Sequence, residues 1–358
     1  MTGMRLKHRA RMAARRIAGD AGRGLVRRAQ LGLGLRPRVN RAAGRAVSYP
    51  GGRAAAVVIS ADLELAWAWR YAQVPDPAAY ARRRAQQGRK NLGVVLDLCD
   101  RFDVPVTWAT VGHLFLNSCD RSAGRAHPEV PRVGYFQNER WTYRSGDWFD
   151  DDPATNTSGP DWAAWYGPDL VRSVLGRRVK HEIGCHTFSH VVFSDVHCPT
   201  DIAAAELRCC QEAAAPFGLT LRSFVFPGNL PGNFGPLRAA GFTSYRLGTT
   251  YELDVPRRDP LGMWQIPEGV WLETAYASWT SARQAAMVRR YVDTAIQHGL
   301  LCSLWFHPET DPRNVEEVFP VVFDHIASRR SEVWVTTMGD LAQWLDTQIR
   351  ADAAPPTV

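Results

Sequence analysis

A chain of 358 residues with 45% hydrophobic and 22% charged residues is long and apolar enough for one large core, which excludes a disordered chain. The formal net charge of +7 is unevenly held: residues 1–45 carry thirteen Lys and Arg against Asp20 alone, leaving the remainder at −5. The basic balance therefore belongs to an N-terminal arm, expected over 1–48, and with no nucleic-acid-binding motif beside it no specific nucleic-acid partner is expected.

Within the arm Ile17, Ala21, Leu25 and Ala29 recur at helical spacing between arginines. That pattern suits an amphipathic helix lying on an anionic membrane surface, and a solvated basic extension accounts for the same residues. The longest apolar stretch there, Leu31–Leu35, is too short for a secretory signal, and no run reaches the length of a membrane span. Seven cysteines in no framework spacing, with Cys209 and Cys210 adjacent, fit a reducing compartment. A cytoplasmic chain with peripheral membrane contact through the arm is the expectation.

Ala54–Ser60 is an unbroken small and β-branched run, the pattern of a strand buried on both faces, and it stops at Asp62-Leu63-Glu64. Further short strands are expected at 105–111, 182–186, 223–227, 243–247, 265–271, 301–306 and 333–337. Between them, 91–100, 201–214, 282–297 and 318–327 space their apolar residues three and four apart, as helices do. Strands alternating with helices predict a parallel sheet, and seven or eight of them predict closure into a barrel spanning 49–346. A segment from about 119 to 169 breaks the rhythm. It gathers Trp141, Tyr143, Trp148, Phe149, Trp162, Trp165 and Tyr166 around Asp147 and the run Asp150–Asp152, and reads as an insertion that shapes a site. The acidic run itself reads most simply as solvated. The C-terminal tail, 347–358, is expected to be frayed at its end.

In a parallel barrel the reacting groups collect at the carboxyl ends of strands. Four such ends carry suitable atoms: Asp62-x-Glu64, His186-x-x-x-His190, Pro227-Gly-Asn229 and His307-Pro-Glu309. Imidazole and carboxylate donors are what a zinc-type divalent cation takes, and two histidines four apart face one way if the chain after the strand turns helical. Each residue also has a plainer reading. A lone His-x-x-x-His is more often structural, Asn229 sits among turn formers, His307 before Pro308 could cap a strand, and His197 with Cys198 could join a closed zinc site instead.

Taken in order, Asp-x-Glu, His-Thr-x-x-His, Phe-Pro-Gly-Asn and Trp-Phe-His resemble the NodB-homology polysaccharide deacetylases, carbohydrate esterase family four, over roughly 54–345. The resemblance implies an α/β fold, a distorted (β/α)7-type barrel, and removal of an acetyl group from an N-acetylated sugar of a glycan or glycoconjugate precursor. It implies a divalent metal, zinc first with cobalt, nickel, manganese or iron as alternatives, held by Glu64, His186 and His190. Asp62 would be the general base and His307 the general acid. Thr187 would support the ligands, Trp305 and Leu304 would wall the acetyl pocket, and Asn229 and Pro227 would line the substrate. The chain departs from the family pattern in three places. Leu63 stands where a second aspartate is usual, which makes this an Asp-x-Glu variant. Val225 replaces the arginine that orients the base, for which Arg246 is the expected substitute. The acid and tryptophan that tune the acid histidine have no clear match, with Trp264, Glu268 or Trp271 as candidates. Hydrolysis of a formamide or other non-sugar amide, and an inactive glycan-binding barrel, are the alternatives.

Overall fold

The computed structural model describes residues 37–40, 47–121, 123–138, 140–144, 146–152, 160–274 and 278–353. Ile17, Ala21, Leu25 and Ala29 of the arm and the end of the tail lie outside them.

Among the described residues nine strands of the main sheet run parallel: β1 (Ala55–Leu63), β2 (Thr107–Thr110), β3 (Glu182–Cys185), β4 (Ser223–Val225), β5 (Ser244–Arg246), β6 (Trp264–Ile266), β7 (Val270–Trp271), β8 (Leu301–Phe306) and β9 (Val333–Thr336). All nine residues of β1 are buried, as its apolar run requires. β9 pairs with its first half, Ala55 to Val58, and β2 with its second half, Ser60 to Leu63, while β8 runs along the opposite edge. From β2 the sheet continues in chain order to β6, and from β8 it continues to β7.

The strand expected over 265–271 divides into β6 and β7, which lie at opposite ends of this order. Only Pro267, Glu268 and Gly269 join them, and so few residues span roughly 14 Å at most. The sheet must therefore curl until its ends nearly meet, which makes it a distorted (β/α)7-type barrel. Gly269 permits the return: its φ is 74°, and an added Cβ would lie 2.1 Å from the Ser303 carbonyl oxygen.

Among the described residues six helices of eight residues or more pack around the sheet: α1 (Pro77–Phe102), α2 (Pro168–Leu175), α3 (Thr200–Ala214), α4 (Ser281–His298), α5 (Phe319–Ser328) and α6 (Met338–Ala353). α1 begins well before the periodic stretch at 91, because Pro77 opens it and the Asp76 side chain accepts the Ala79 N–H at 2.9 Å. It ends at Asp103, in the left-handed region. Its buried face, Ala81, Ala85, Leu92, Val95, Leu96 and Cys99, follows the three-and-four spacing; burying each larger side chain contributes about 1.5–3 kcal/mol. α6 carries Met338, Leu341, Ala342 and Leu345 against Ala56, Val58, Trp264, Ile266 and Leu301, so it plugs the end where strands begin. The half-buried Glu182 carboxylate accepts the Gly339 N–H at that helix's start, together with the Thr107 and Ser223 hydroxyls. Reactive chemistry is left to the other end.

Two boundaries differ from the sequence expectation. Arg38–Val39 pairs with Glu252–Leu253, Trp344 donates to the Ser48 carbonyl and Tyr49 is buried, so the last part of the expected arm belongs to the barrel unit. The final helix runs through Ala353, beyond the expected barrel end at 346.

Candidate active site

Side chains alternate along a strand, so Ser60, Asp62 and Glu64 share the interior face of β1 while Leu63 points the other way. Asp62 and Glu64 are almost wholly buried. The strand ends at Leu63 and the chain turns at Leu65, whose φ is 49° and whose N–H donates to Glu309 Oε1 at 2.7 Å. Burial, and then the charge of Glu64, raise the pKa of Glu309 above its ordinary range.

His186 follows β3 directly. The chain after it does not turn helical: Thr187 and His190 both adopt positive φ, 61° and 59°. Glu206, buried on α3, holds this loop by accepting the Phe188 N–H at 2.7 Å, the Ser189 N–H at 2.8 Å and the Ser189 hydroxyl at 2.5 Å. Thr187 Oγ1 accepts the Val191 N–H at 3.1 Å and so shapes the same turn. The loop brings both imidazoles to one carboxylate oxygen: Glu64 Oε1 is 3.0 Å from His186 Nε2 and 3.1 Å from His190 Nε2.

The outer ring nitrogens fix the proton positions. His186 Nδ1 donates to the Val225 carbonyl at 2.8 Å. Tyr71 donates its one hydroxyl proton to the His190 carbonyl at 2.8 Å, so its oxygen accepts from His190 Nδ1 at 2.5 Å. Each Nε2 is then a lone pair, and both face a carboxylate oxygen. Burial opposes ionisation of Glu64, but the neighbouring imidazoles and the charge of His307 outweigh it and hold its pKa well below the usual range. Burial lowers the pKa of His190. Three lone-pair donors with no proton between them, each oriented from behind, fit a divalent cation.

Two charged pairs flank this group. Arg246 of β5 clasps Asp62 through NH1 to Oδ1 at 2.8 Å and NH2 to Oδ2 at 2.6 Å, reaches Ser60 Oγ at 2.9 Å and lies over the Trp305 ring. His307 donates both its backbone N–H and its Nδ1–H to Glu273 Oε1, each at 2.7 Å. Burial works against the imidazolium, yet Glu273 and Glu64 together push the His307 pKa up to about 9. Donor atoms of Asp62, Glu64 and His307 lie within 4.8 Å of one another.

The remaining expected residues divide. Asn229, in a left-handed turn with φ 56°, accepts from Arg246 at 3.3 Å and donates to Glu268 at 3.3 Å, while Pro227 is buried in that turn. Trp305 is buried and stacked on Trp271, 5.0 Å between centroids. Leu304 alternates to the face away from Trp305 and His307, so it walls no pocket with them. The acid beside His307 is Glu273. Glu268 instead bonds Asn229 and Thr250, Trp264 donates to Asp346, and Trp271 packs edge-on to His307. His197 bonds Ser194 and Cys198 faces the Pro199 carbonyl; among the described residues neither belongs to a group of metal-type donors. The acidic run is not uniformly solvated, since Asp152 is 3% exposed. Sequence reading missed Tyr71, Glu206 and Glu273. Glu273 alone had a visible signal, an acid two residues beyond a strand-end tryptophan.

The insertion forms one wall. Trp148 donates to Ser189 Oγ at 2.7 Å and stacks on Tyr71, and Trp141 packs edge-on to the His190 ring. Gly228 makes room for Trp141, whose ring would stand 2.5 Å from an added Cβ.

No protein-family model matches the chain, and no curated protein matches it either. Solved structures do share its fold. A Mycobacterium smegmatis protein described as a polysaccharide deacetylase is 18% identical, with 88% of this chain and 97% of that one covered and a TM-score of 0.58. A Pseudomonas aeruginosa PAO1 protein described in the same terms is 15% identical, with coverages of 84% and 93% and a TM-score of 0.57. Puue allantoinase is 14% identical over the same shares, also with a TM-score of 0.57.

Proposed function

We propose that the chain is a metal-dependent amide hydrolase that removes an acetyl group from an N-acetylated sugar, within a glycan or glycoconjugate precursor. The observation that carries this reading is the convergence of His186 and His190 on Glu64, with both imidazoles oriented from behind and the Asp62–Arg246 and His307–Glu273 pairs on either side. Glu64, His186 and His190 would hold the cation, zinc by their donor types. A cation there supplies Lewis acidity toward the amide carbonyl and makes a water more acidic.

The chain's own residues account for the proton transfers. Arg246 fixes the plane of the Asp62 carboxylate, which accepts the proton of the attacking water. His307, with Nδ1 committed to Glu273, keeps its Nε2 proton for the departing amine. With its pKa raised, His307 enters the reaction as the imidazolium at neutral pH. Trp305 beside His307 limits the space next to the acid.

The shared fold of two proteins described as polysaccharide deacetylases supports a sugar amide. The equal likeness to an allantoinase supports the second reading, a small non-sugar amide. Acetate release from a panel of N-acetylhexosamine compounds, run beside small cyclic and linear amides with metal analysis of the protein, separates the two. Turnover of the sugars that disappears in His186→Ala is expected; turnover of the non-sugar amides alone overturns the sugar assignment. The seven free, buried cysteines support a cytoplasmic setting. The arginine-rich arm supports peripheral contact with anionic membrane, which co-flotation with phosphatidylserine vesicles tests.

A further inference from the structure

A second group of metal-type donors lies outside the site above. Its four members come from the turn after β2 and from the insertion: His113, Cys119, His127 and Asp152. His113 Nε2 is 2.8 Å from Cys119 Sγ and 2.8 Å from Asp152 Oδ2. His127 Nε2 is 2.9 Å from the same sulfur and 3.2 Å from the same oxygen. All four donor atoms fall within 4.8 Å of one another.

Protons are too few to explain these contacts. His113 Nδ1 donates to the Trp165 carbonyl at 3.1 Å, so its Nε2 is a lone pair. His127 turns Nδ1 toward Glu129, 3.5 Å away, and also presents Nε2 inward. The other Asp152 oxygen accepts the Tyr166 hydroxyl. At most two protons, the Cys119 thiol's and one on His127 Nε2, are left for four close contacts, so two of the four have none, and burial disfavours an imidazolium at His113. His113, His127 and Asp152 each have a partner on the far side, the arrangement that orients metal ligands. One sulfur, two imidazoles and one carboxylate make a closed four-ligand set, and tetrahedral zinc would hold such donors about 3.2–3.6 Å apart.

We propose that His113, Cys119, His127 and Asp152 bind a structural zinc ion that fastens the aromatic insertion to the barrel. The ion ties His113 to Asp152, 39 residues along the chain. Four residues before Asp152, Trp148 bonds Ser189 and stacks on Tyr71, which orients His190. The fastening thus positions one wall of the candidate active site without touching it.

Cobalt loading of the full chain tests this independently of any activity. A thiolate on cobalt gives a near-ultraviolet charge-transfer band, and the Glu64, His186 and His190 group contains no sulfur. The band is expected in the unaltered chain, unchanged in His186→Ala and lost in Cys119→Ala, with zinc content falling by one equivalent in Cys119→Ala. Absence of the band from the unaltered chain, or its persistence in Cys119→Ala, overturns the proposal. If Cys119→Ala fails to fold, the zinc content of His186→Ala decides: one equivalent supports the site and none refutes it. Loss of deacetylation alone, with the band intact, would count against the proposed reaction and leave this site standing.

Discussion

Tyr71 and His190 exchange two hydrogen bonds: the tyrosine hydroxyl donates to the histidine's backbone carbonyl at 2.8 Å and accepts from its ring Nδ1 at 2.5 Å. Tautomer and ring direction are set in one contact. Tyr71→Phe removes the acceptor and leaves the packing against Trp148 in place. Metal affinity is expected to weaken about 10–100-fold with the thermal midpoint nearly unchanged, as competition with a chelator would measure.

Asp62→Asn keeps shape but removes the proposed base. Turnover should fall about 10²- to 10⁴-fold while metal content stays the same. Arg246→Met leaves the buried Asp62 charge unpaired and should cost about 3–5 kcal/mol of stability. Denaturant unfolding of the double variant provides the check, because the two losses should sum to more than the combined one.

The pH profile tests the pairing of His307 with Glu273. A pKa raised to about 9 keeps His307 protonated through neutral pH, and the acid is lost as pH climbs through that value. Glu273→Gln removes the negative charge that favours the protonated form. The alkaline limb of kcat/KM should then move down by about one unit or more; a limb that stays in place would assign the acid to another group.

Glu206→Gln probes the loop that carries both histidines. A carboxylate there satisfies three donors, whereas an amide offers one acceptor oxygen and adds two donors. At least one buried group loses its partner, for about 1–3 kcal/mol. Urea midpoints should fall accordingly, and metal affinity with them.

Gly228→Ala combines strain and collision. Its φ of 64° costs an L-residue roughly 1–2 kcal/mol, and the methyl would displace Trp141 from beside His190. Stability and the fluorescence of Trp141 should both change.

Most strands were legible because their apolar runs have the length and β-branched content of buried parallel strands; 301–306 coincides with β8. The division of 265–271 was not, since Pro-Glu-Gly can end one strand or kink it, and only the sheet's curvature decides. Helix periodicity located α3, α4 and α5 within a residue or two at each end, but α1 also depends on a cap at Asp76, which lies outside its periodic stretch. In the candidate site, spacing paired His186 with His190 and the family resemblance supplied Glu64, although a left-handed loop and not a helix delivers the second histidine. Tyr71 and Glu206 support it from distant positions, and no local pattern distinguishes them from ordinary buried polar residues. His113, Cys119, His127 and Asp152 stayed hidden for the same reason: a 39-residue reach between first and last defeats any motif with short spacing.

The join between β6 and β7 has a mechanical consequence. Arg246, which steers Asp62, belongs to the strand beside β6, and Glu273, which charges His307, follows β7. The gap in the barrel wall therefore lies between the two supporting residues, Arg246 and Glu273, while Asp62 and His307 are held together by the rungs that pair β1 with β8. Residues 267–269 act as the spacer that sets how far apart these two supports stand, so a longer or stiffer linker would retune how Asp62 and His307 are steered without breaking a single rung of the ladder.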